Sequence, residues 1–564
     1  MLMKKSISLL IILAMLLLIL FGCAQNKPLG PGNDLPVQDL PFESDFSPAN
    51  FSGLSHFGYF YNSGYKLKDG FDYPIANRII LFGYFFENKK WLEENLKKVD
   101  ESTADKTNMY ITMTSELEHN RWTGTDTDPQ KSYCIPQGPD RERTKDIFRS
   151  MVERYDGDAD YGCTINNGVD CYTTDDNLYP SATARENIHL NPIHNWQIEN
   201  EIFDQFIECG YDPTADTYTF PIAPLDESER PSKEEVLRYL KEMSAVIKTA
   251  NPNAIVVFPA FPQARSILFL DGRLDYYELD WYDCDYKTKI TKEQLDDYLK
   301  QGKELPGGPA RSREKIEYYI KEGRNYYDIL DFHDYSNDPY INRAVMEWYT
   351  DLLGDNIKTK RVISTENSGP WNFFLFIDGA KQPNCTATKE CQFERCNSQP
   401  YDEGVLSEFV IKRYAVGLSA GMNTIFWATL VELDIGFHDN FNRLGLIVDS
   451  DGPLQKGMEF KEKSAYYTYV LMLGKIYGYA DAKEIQTDVY RFSFSNKESV
   501  YVAWSETGNR TVDLSNEINT SQVKVTYLVT ELDYQNKPIY PSVETISPNS
   551  IPLTESPIFI EGIK

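Results

Sequence analysis

Two glutamates in this chain stand where short apolar runs give way to polar loops. Asn195-Trp196-Gln197-Ile198-Glu199-Asn200-Glu201 ends in Asn-Glu, and Arg361-Val362-Ile363-Ser364-Thr365-Glu366-Asn367-Ser368-Gly369 carries a glutamate just before a Gly-terminated polar stretch. Carboxyl groups delivered from two strand ends are what splitting a glycosidic bond requires. One protonates the leaving oxygen and the other stands across the anomeric carbon. Glu199 is a confounder, because period two along a strand gives it the same facing as Glu201. Arg78, in another apolar run, is either a charge partner for Glu366 or one half of a surface ion pair.

Other chemistries find less support. There are six histidines, and the chain has no His-Glu-x-x-His; the one close pair, His189 with His194, reads as loop capping. A Ser-His-Asp esterase would need a nucleophile elbow at a strand-to-helix turn, and none is expected. Neither a metal nor a cofactor is expected. A net charge of −28, from 57 Lys and Arg against 85 Asp and Glu, is spread along the chain and argues against nucleic acid as a partner. The 38 tyrosines and 8 tryptophans are mostly core, with some available to stack on the apolar faces of sugars.

The elements that would position these residues repeat as strand, loop and helix. Candidate strands are His56–Tyr61, Arg78–Tyr84, Asn108–Thr114, Asn195–Asn200, Ala254–Ala260, Ile329–Tyr335, Arg361–Glu366 and Thr424–Thr429. Several are continuous apolar runs, as strands buried on both faces should be. Between them Ser232-Lys233-Glu234-Glu235 is a capping box that opens a helix with apolar residues at Val236, Leu240, Met243 and Ile247, stopped by Asn251-Pro252-Asn253. This order predicts an α/β fold, a (β/α)8 TIM barrel over residues 51–478, with acid- and aromatic-rich insertions at Tyr161–Tyr179, Trp281–Lys300 and Lys381–Asp402 around its mouth. The rival is an open doubly wound sheet, but no Gly-rich phosphate loop follows a strand. Beyond it, Val489–Ser495, Ser499–Trp504, Thr511–Leu514, Val523–Val529 and Pro557–Ile560 predict an all-β, sandwich-like module over residues 479–564.

The N-terminus speaks to location. Lys4 and Lys5 precede an apolar run from Ile7 to Phe21, and Leu20-Phe21-Gly22-Cys23 resembles a lipobox, with residues 1–22 as signal peptide and Cys23 as the lipidated thiol. A plain signal anchor is the alternative. Residues 23–50, rich in Pro, Gly, Asn and Asp, read as a tether. The expected location is the cell surface, anchored to the membrane by lipid. The other eight cysteines, in an oxidising compartment, suit disulfides; Cys163 with Cys171 would close a short loop, and the cluster of Cys385, Cys391 and Cys396 has zinc binding as its lesser alternative, since no histidine sits near it and no Cys-x-x-Cys occurs.

Trp196 to Glu201 resembles the strand-four motif of clan A glycoside hydrolases, in which Asn-Glu supplies the acid/base. Val152 to Asp158 resembles the helix before that motif, Ile363 to Glu366 the strand-seven nucleophile segment, and Asp328 to Tyr335 strand six with its His and Tyr beside the site. Phe426-Trp427 resembles the strand-eight tryptophan that floors the sugar subsite, with plain core filler as the alternative. The likeness runs from about residue 145 to the C-terminus. It implies Glu201 as general acid and then base, and Glu366 as nucleophile. Asn200 would bond the sugar 2-hydroxyl, Tyr335 would hold Glu366 ionised, and His333 would orient a carboxylate or a hydroxyl. Glu199 would then be a barrel-interior partner for a buried cation. One departure is Ile202, where the family has proline after Asn-Glu. The expected function is retaining hydrolysis of an extracellular β-linked oligo- or polysaccharide; the alternative is a lipid-anchored carbohydrate-binding barrel without catalysis.

Overall fold

The computed structural model describes residues 52–56, 76–81, 109–115, 135–157, 181–200, 232–261, 313–335, 338–369, 403–428, 444–448, 461–533, 537–540 and 543–563, with scattered positions between them. The chain divides into two units, Met1–Asp45 and Phe46–Lys564. The first, with Cys23 and the lipobox, lies outside the described residues, as do Glu201, every cysteine and most of the three insertions. Among the described residues no helix is long and apolar enough to cross a membrane.

Eight parallel strands close a barrel: β1 (Ser52–His56), β2 (Ala76–Leu81), β3 (Met109–Met113), β4 (Asn195–Ile198), β5 (Ile255–Val257), β6 (Ile329–Asp334), β7 (Arg361–Asn367) and β8 (Thr424–Trp427). Each pairs with the next, and β8 returns to β1. This is the fold class the strand and helix order predicts. One strand is displaced. β1 lies upstream of the expected His56–Tyr61, and its small residues carry no apolar signature. What defines it is pairing on both sides, with Gly53 opposite Ala76 and Phe426.

The helices between strands are α1 (Gly138–Arg154), α2 (Ala182–Leu190), α3 (Lys233–Ala250), α4 (Arg313–Glu322), α5 (Ile341–Leu353) and α6 (Glu403–Ser419), with α7 (Ser464–Ile476) after β8. Helix α3 begins where its cap predicts: the Ser232 hydroxyl accepts from the Glu235 amide at 3.2 Å. The Glu235 carboxylate turns instead to Arg141 and Arg238. The stripe Val236, Leu240, Met243 and Ile247 is buried, each side chain contributing about 1.5–3 kcal/mol by leaving water. At the far end Asn251 turns the chain, its Oδ1 accepting from the Asn253 amide at 2.9 Å.

After α7 come β9 (Asp481–Gln486), β10 (Val489–Ser493), β11 (Val500–Ala503), β12 (Arg510–Val512), β13 (Val523–Tyr527), β14 (Glu544–Ile546), β15 (Ile551–Leu553) and β16 (Ile558–Gly562). They build a six-stranded antiparallel sheet, ordered β9-β10-β11-β16-β13-β14, and a β12–β15 pair. Period two divides the large sheet between two cores. Val489, Tyr501, Ala503, Val523, Val525, Ile558 and Ile560 pack against Val512, Ile551 and Leu553 of the small pair. Tyr490, Phe492, Val500, Val502 and Phe559 join the core that holds α6 and α7. Ion pairs Arg343–Glu484 and Lys412–Glu506 and a Tyr340–Asp488 hydrogen bond tie the sheet to the barrel helices. The expected strands omit β9, β14 and β15: the first two lie at the large sheet's edges with side chains exposed or half-buried, and the third is only three residues long.

Gly417-Leu418-Ser419-Ala420-Gly421 has the Gly-x-Ser-x-Gly spacing, but Ser419 closes a helix rather than following a strand, and its hydroxyl donates to the Val416 carbonyl. It forms no nucleophile elbow.

Candidate functional site

Inward-facing positions fill the barrel in layers. The lowest is apolar: Ala76, Tyr110, Val257, Ile329, Ile363 and Phe426, with the Tyr110 and Phe426 rings edge to face at 4.9 Å. Two residues further along their strands, the same faces carry Arg78, Thr112 and Asp331, joined by Gln197 of β4. All four are fully or almost fully buried. Above them, at the C-terminal ends of the strands, lie Asn200, His333, Tyr335 and Glu366.

Arg78 ties these layers together. Its Nη1 donates to Glu366 Oε1 at 2.6 Å, and Nη2 donates to Gln197 Oε1 at 3.0 Å and to Asn200 Oδ1 at 2.5 Å. Its Nε donates to Thr112 Oγ1 at 2.8 Å and to Gln197 Oε1 at 3.2 Å. A buried guanidinium is tolerable only when paired and hydrogen-bonded, and here both conditions are met.

Glu366 reaches the interior through a bulge. Asp331 pairs with Ile363, but His333 pairs with Glu366, so β7 spends one more residue than β6 over that step. The same interruption separates Ser364 from Asn367 along β8. Glu366 then meets Arg78 on Oε1 and the Tyr335 hydroxyl on Oε2, with His333 Nδ1 3.5 Å from Oε2. Burial alone would raise the Glu366 pKa, but His333, Arg78 and Tyr335 overcome it and hold the carboxyl below its ordinary value. The group is a buried carboxylate kept ionised at the mouth of a barrel, able to attack an electrophilic carbon or to stabilise a developing cation.

Asp331 anchors the layer beneath. Its Oδ1 accepts from the Thr365 amide at 2.8 Å, and its Oδ2 accepts from the Thr365 hydroxyl and from Gln197 Nε2, both at 2.5 Å. Burial raises its pKa, opposed by His333, Arg78 and Thr365. Thr112, Gln197, Asp331 and Thr365 were not expected as site residues. The signal for three of them is a polar residue at inward parity inside an apolar strand, as in Ile111-Thr112-Met113, Trp196-Gln197-Ile198 and Leu330-Asp331-Phe332.

Glu199 corrects an expectation. Strand β4 ends at Ile198, and Glu199 sits at φ 61°, in the left-handed region that a glutamate seldom adopts. This breaks the alternation, and among the described residues its carboxylate meets no cation. It accepts from the Ser115 amide at 3.0 Å and from the Tyr239 hydroxyl of α3 at 2.5 Å. Burial pushes it up to about 7, against the hydrogen bonds of Tyr239 and Ser115.

The structure thus brings Arg78, Asn200, His333, Tyr335 and Glu366 together. Trp427 is elsewhere: its ring is fully buried in the core that also holds Ile425 and Leu446, and its indole N–H donates to the Leu444 carbonyl at 3.0 Å. Phe426, not Trp427, faces the barrel interior. His189, expected to cap a loop, has Nδ1 2.7 Å from the Gly157 carbonyl. Among the described residues, no group of three or more His, Cys, Asp and Glu side chains is placed to hold a metal ion.

In sequence the chain matches no family model and no curated protein. Among solved structures it is similar to an alpha-L-arabinofuranosidase from Thermotoga maritima in an arabinose complex, at 12% identity and a TM-score of 0.46, over 91% of this chain and 95% of that one. It is similar to a monomeric beta-xylosidase from Caulobacter crescentus CB15, at 10% identity and a TM-score of 0.42, over 92% of this chain and 97% of that one. A third is a glucosidase from Croceicoccus marinus, at 10% identity and a TM-score of 0.40, over 85% of this chain and 82% of that one.

Proposed function

We propose that this chain is a retaining glycoside hydrolase that acts on an extracellular, β-linked oligo- or polysaccharide. The observation that carries the reading is Glu366: a buried carboxylate, held ionised by Arg78, Tyr335 and His333, at the strand ends where barrel enzymes keep their chemistry. In this mechanism Glu366 attacks the anomeric carbon, and the leaving oxygen takes a proton from Glu201. The covalent glycosyl-enzyme is then opened by a water that Glu201, now a carboxylate, deprotonates. Asn200 has its amide oxygen committed to Arg78, which leaves the NH2 end to donate to a sugar hydroxyl. The likeness of Leu20 to Cys23 to a lipobox supports export and a lipid anchor on Cys23, which would hold the enzyme at the cell surface.

A soluble form beginning near residue 45, screened on aryl glycosides and on β-glucan, mannan and xylan polymers, tests this. Activity that vanishes in Glu366→Ala, and returns with azide as a glycosyl azide of inverted configuration, is the expected result. Turnover that survives Glu366→Ala overturns the assignment.

A further inference from the structure

The proton count around His333 leads to a residue the proposed mechanism does not use. Arg78 can only donate, so the Gln197 oxygen must face it, and the Gln197 NH2 must face Asp331. The Thr365 amide also donates to Asp331. Asp331 therefore sits among fixed donors, which favour its anion against the burial that raises its pKa. The Thr365 hydroxyl has a single hydrogen, and it lies 2.5 Å from Asp331 Oδ2 and 3.0 Å from His333 Nε2. If that hydrogen goes to Asp331, then His333 Nε2 must carry its own hydrogen and donate it to Thr365. The other ring nitrogen, Nδ1, faces the ionised Glu366 at 3.5 Å, where a bare lone pair would be repelled and an N–H attracted.

We propose that Asp331 is a positioning residue which, through the hydroxyl of Thr365, fixes a proton on His333 Nε2, so that His333 stands as an imidazolium against Glu366. The buried charges then balance, Arg78 and His333 against Glu366 and Asp331. Among the described residues Tyr335 is the remaining titratable group on Glu366, and its hydroxyl donates to that carboxylate. Moving the proton to Asp331 would reverse both hydrogen bonds through Thr365 and discharge the imidazolium. The meaning of the device rests on Glu366 as nucleophile, since its effect is to keep that carboxylate ionised, but its existence does not depend on any activity.

The test is nitrogen NMR of the soluble protein with labelled histidine and no substrate, the His333 signals being identified by their loss in His333→Gln. The wild type should show both His333 ring nitrogens protonated at neutral pH. In Asp331→Asn the anion that holds the Thr365 hydroxyl hydrogen is gone, so the protonated fraction of His333 at neutral pH should fall. Thr365→Val, which keeps the side-chain shape and removes the hydroxyl, should likewise lower the protonated fraction and guards against a misfolded Asp331→Asn. A neutral His333 in the wild type overturns the proposal. So does a doubly protonated one that neither variant changes. Loss of glycosidase activity with these signals as expected would leave it standing, and an inactive wild type would speak only against the proposed function.

Discussion

Glu366 faces His333 across the β6–β7 pair because β7 carries one residue more than β6 between the Asp331–Ile363 and His333–Glu366 pairings. With strict alternation from the inward-facing Ile363, Glu366 would point into the helix layer. The bulge turns it inward while Thr365 still reaches Asp331 with both its amide and its hydroxyl. Bulges recur beside active sites for this reason: they re-aim one side chain without moving the strand.

The Arg78–Glu366 pair gives a stability prediction. Arg78→Ala strands a buried carboxylate and should destabilise the protein by about 3–5 kcal/mol. Arg78→Met with Glu366→Met removes both charges and should be less destabilised than either single change. Urea unfolding of the three variants decides this; a double variant that loses the sum of the two would mean that the charges act independently.

Tyr335→Phe removes one hydrogen bond to a charged acceptor, worth about 1.5–3 kcal/mol, so kcat/KM should fall roughly tenfold to 150-fold. Because the hydroxyl helps hold Glu366 below its ordinary pKa, the acidic limb of the pH–rate profile should move to higher pH. A limb that stays in place would show that Tyr335 contacts Glu366 without tuning it.

Glu201→Ala should slow substrates with poor leaving groups far more than activated aryl glycosides, since only the former need a proton in the first step. Equal losses on both would remove Glu201 from that role. In a liganded structure its carboxyl should lie about 5–5.5 Å from that of Glu366.

Glu199 makes a pH prediction whose sign is opposite to that of a salt-bridged acid. Its folded-state pKa is raised from 4.5 to about 7, so the stability it confers is complete below the lower value and is lost as pH rises through the upper. The difference amounts to about 3 kcal/mol in order of magnitude. Glu199→Gln should therefore unfold at a urea concentration that changes less between mildly acidic and mildly alkaline pH than the wild type's. Parallel curves for the two proteins would place the carboxyl in water.

Much of this is legible in the order of amino acids. Seven of the eight barrel strands lie where apolar runs marked them, because strands buried on both faces announce themselves by composition. β1 failed that rule, since Ser52-Gly53-Leu54-Ser55-His56 is defined by its neighbours rather than by its own side chains. Arg78, His333, Tyr335 and Glu366 were nameable as types. Their meeting was not, because it depends on a bulge in β7 that the order of residues does not announce. Glu199 misled for the same reason: period two holds until one residue adopts a left-handed turn, as Glu199 does at φ 61°. Trp427 misled through parity, the neighbouring Phe426 being the one that faces inward.

The C-terminal sheet, with Val489 and Tyr501 on one face and Tyr490 and Phe492 on the other, has no solvent side over that stretch. Excised and expressed alone, it would carry an oily plate of aromatic and branched side chains, inviting association between copies. A barrel truncated before Asp481 would leave the matching faces of α6 and α7 bare. The last stretch of the sequence is therefore poor material for transplanting onto another protein, and recombination within it would have to preserve both faces at once.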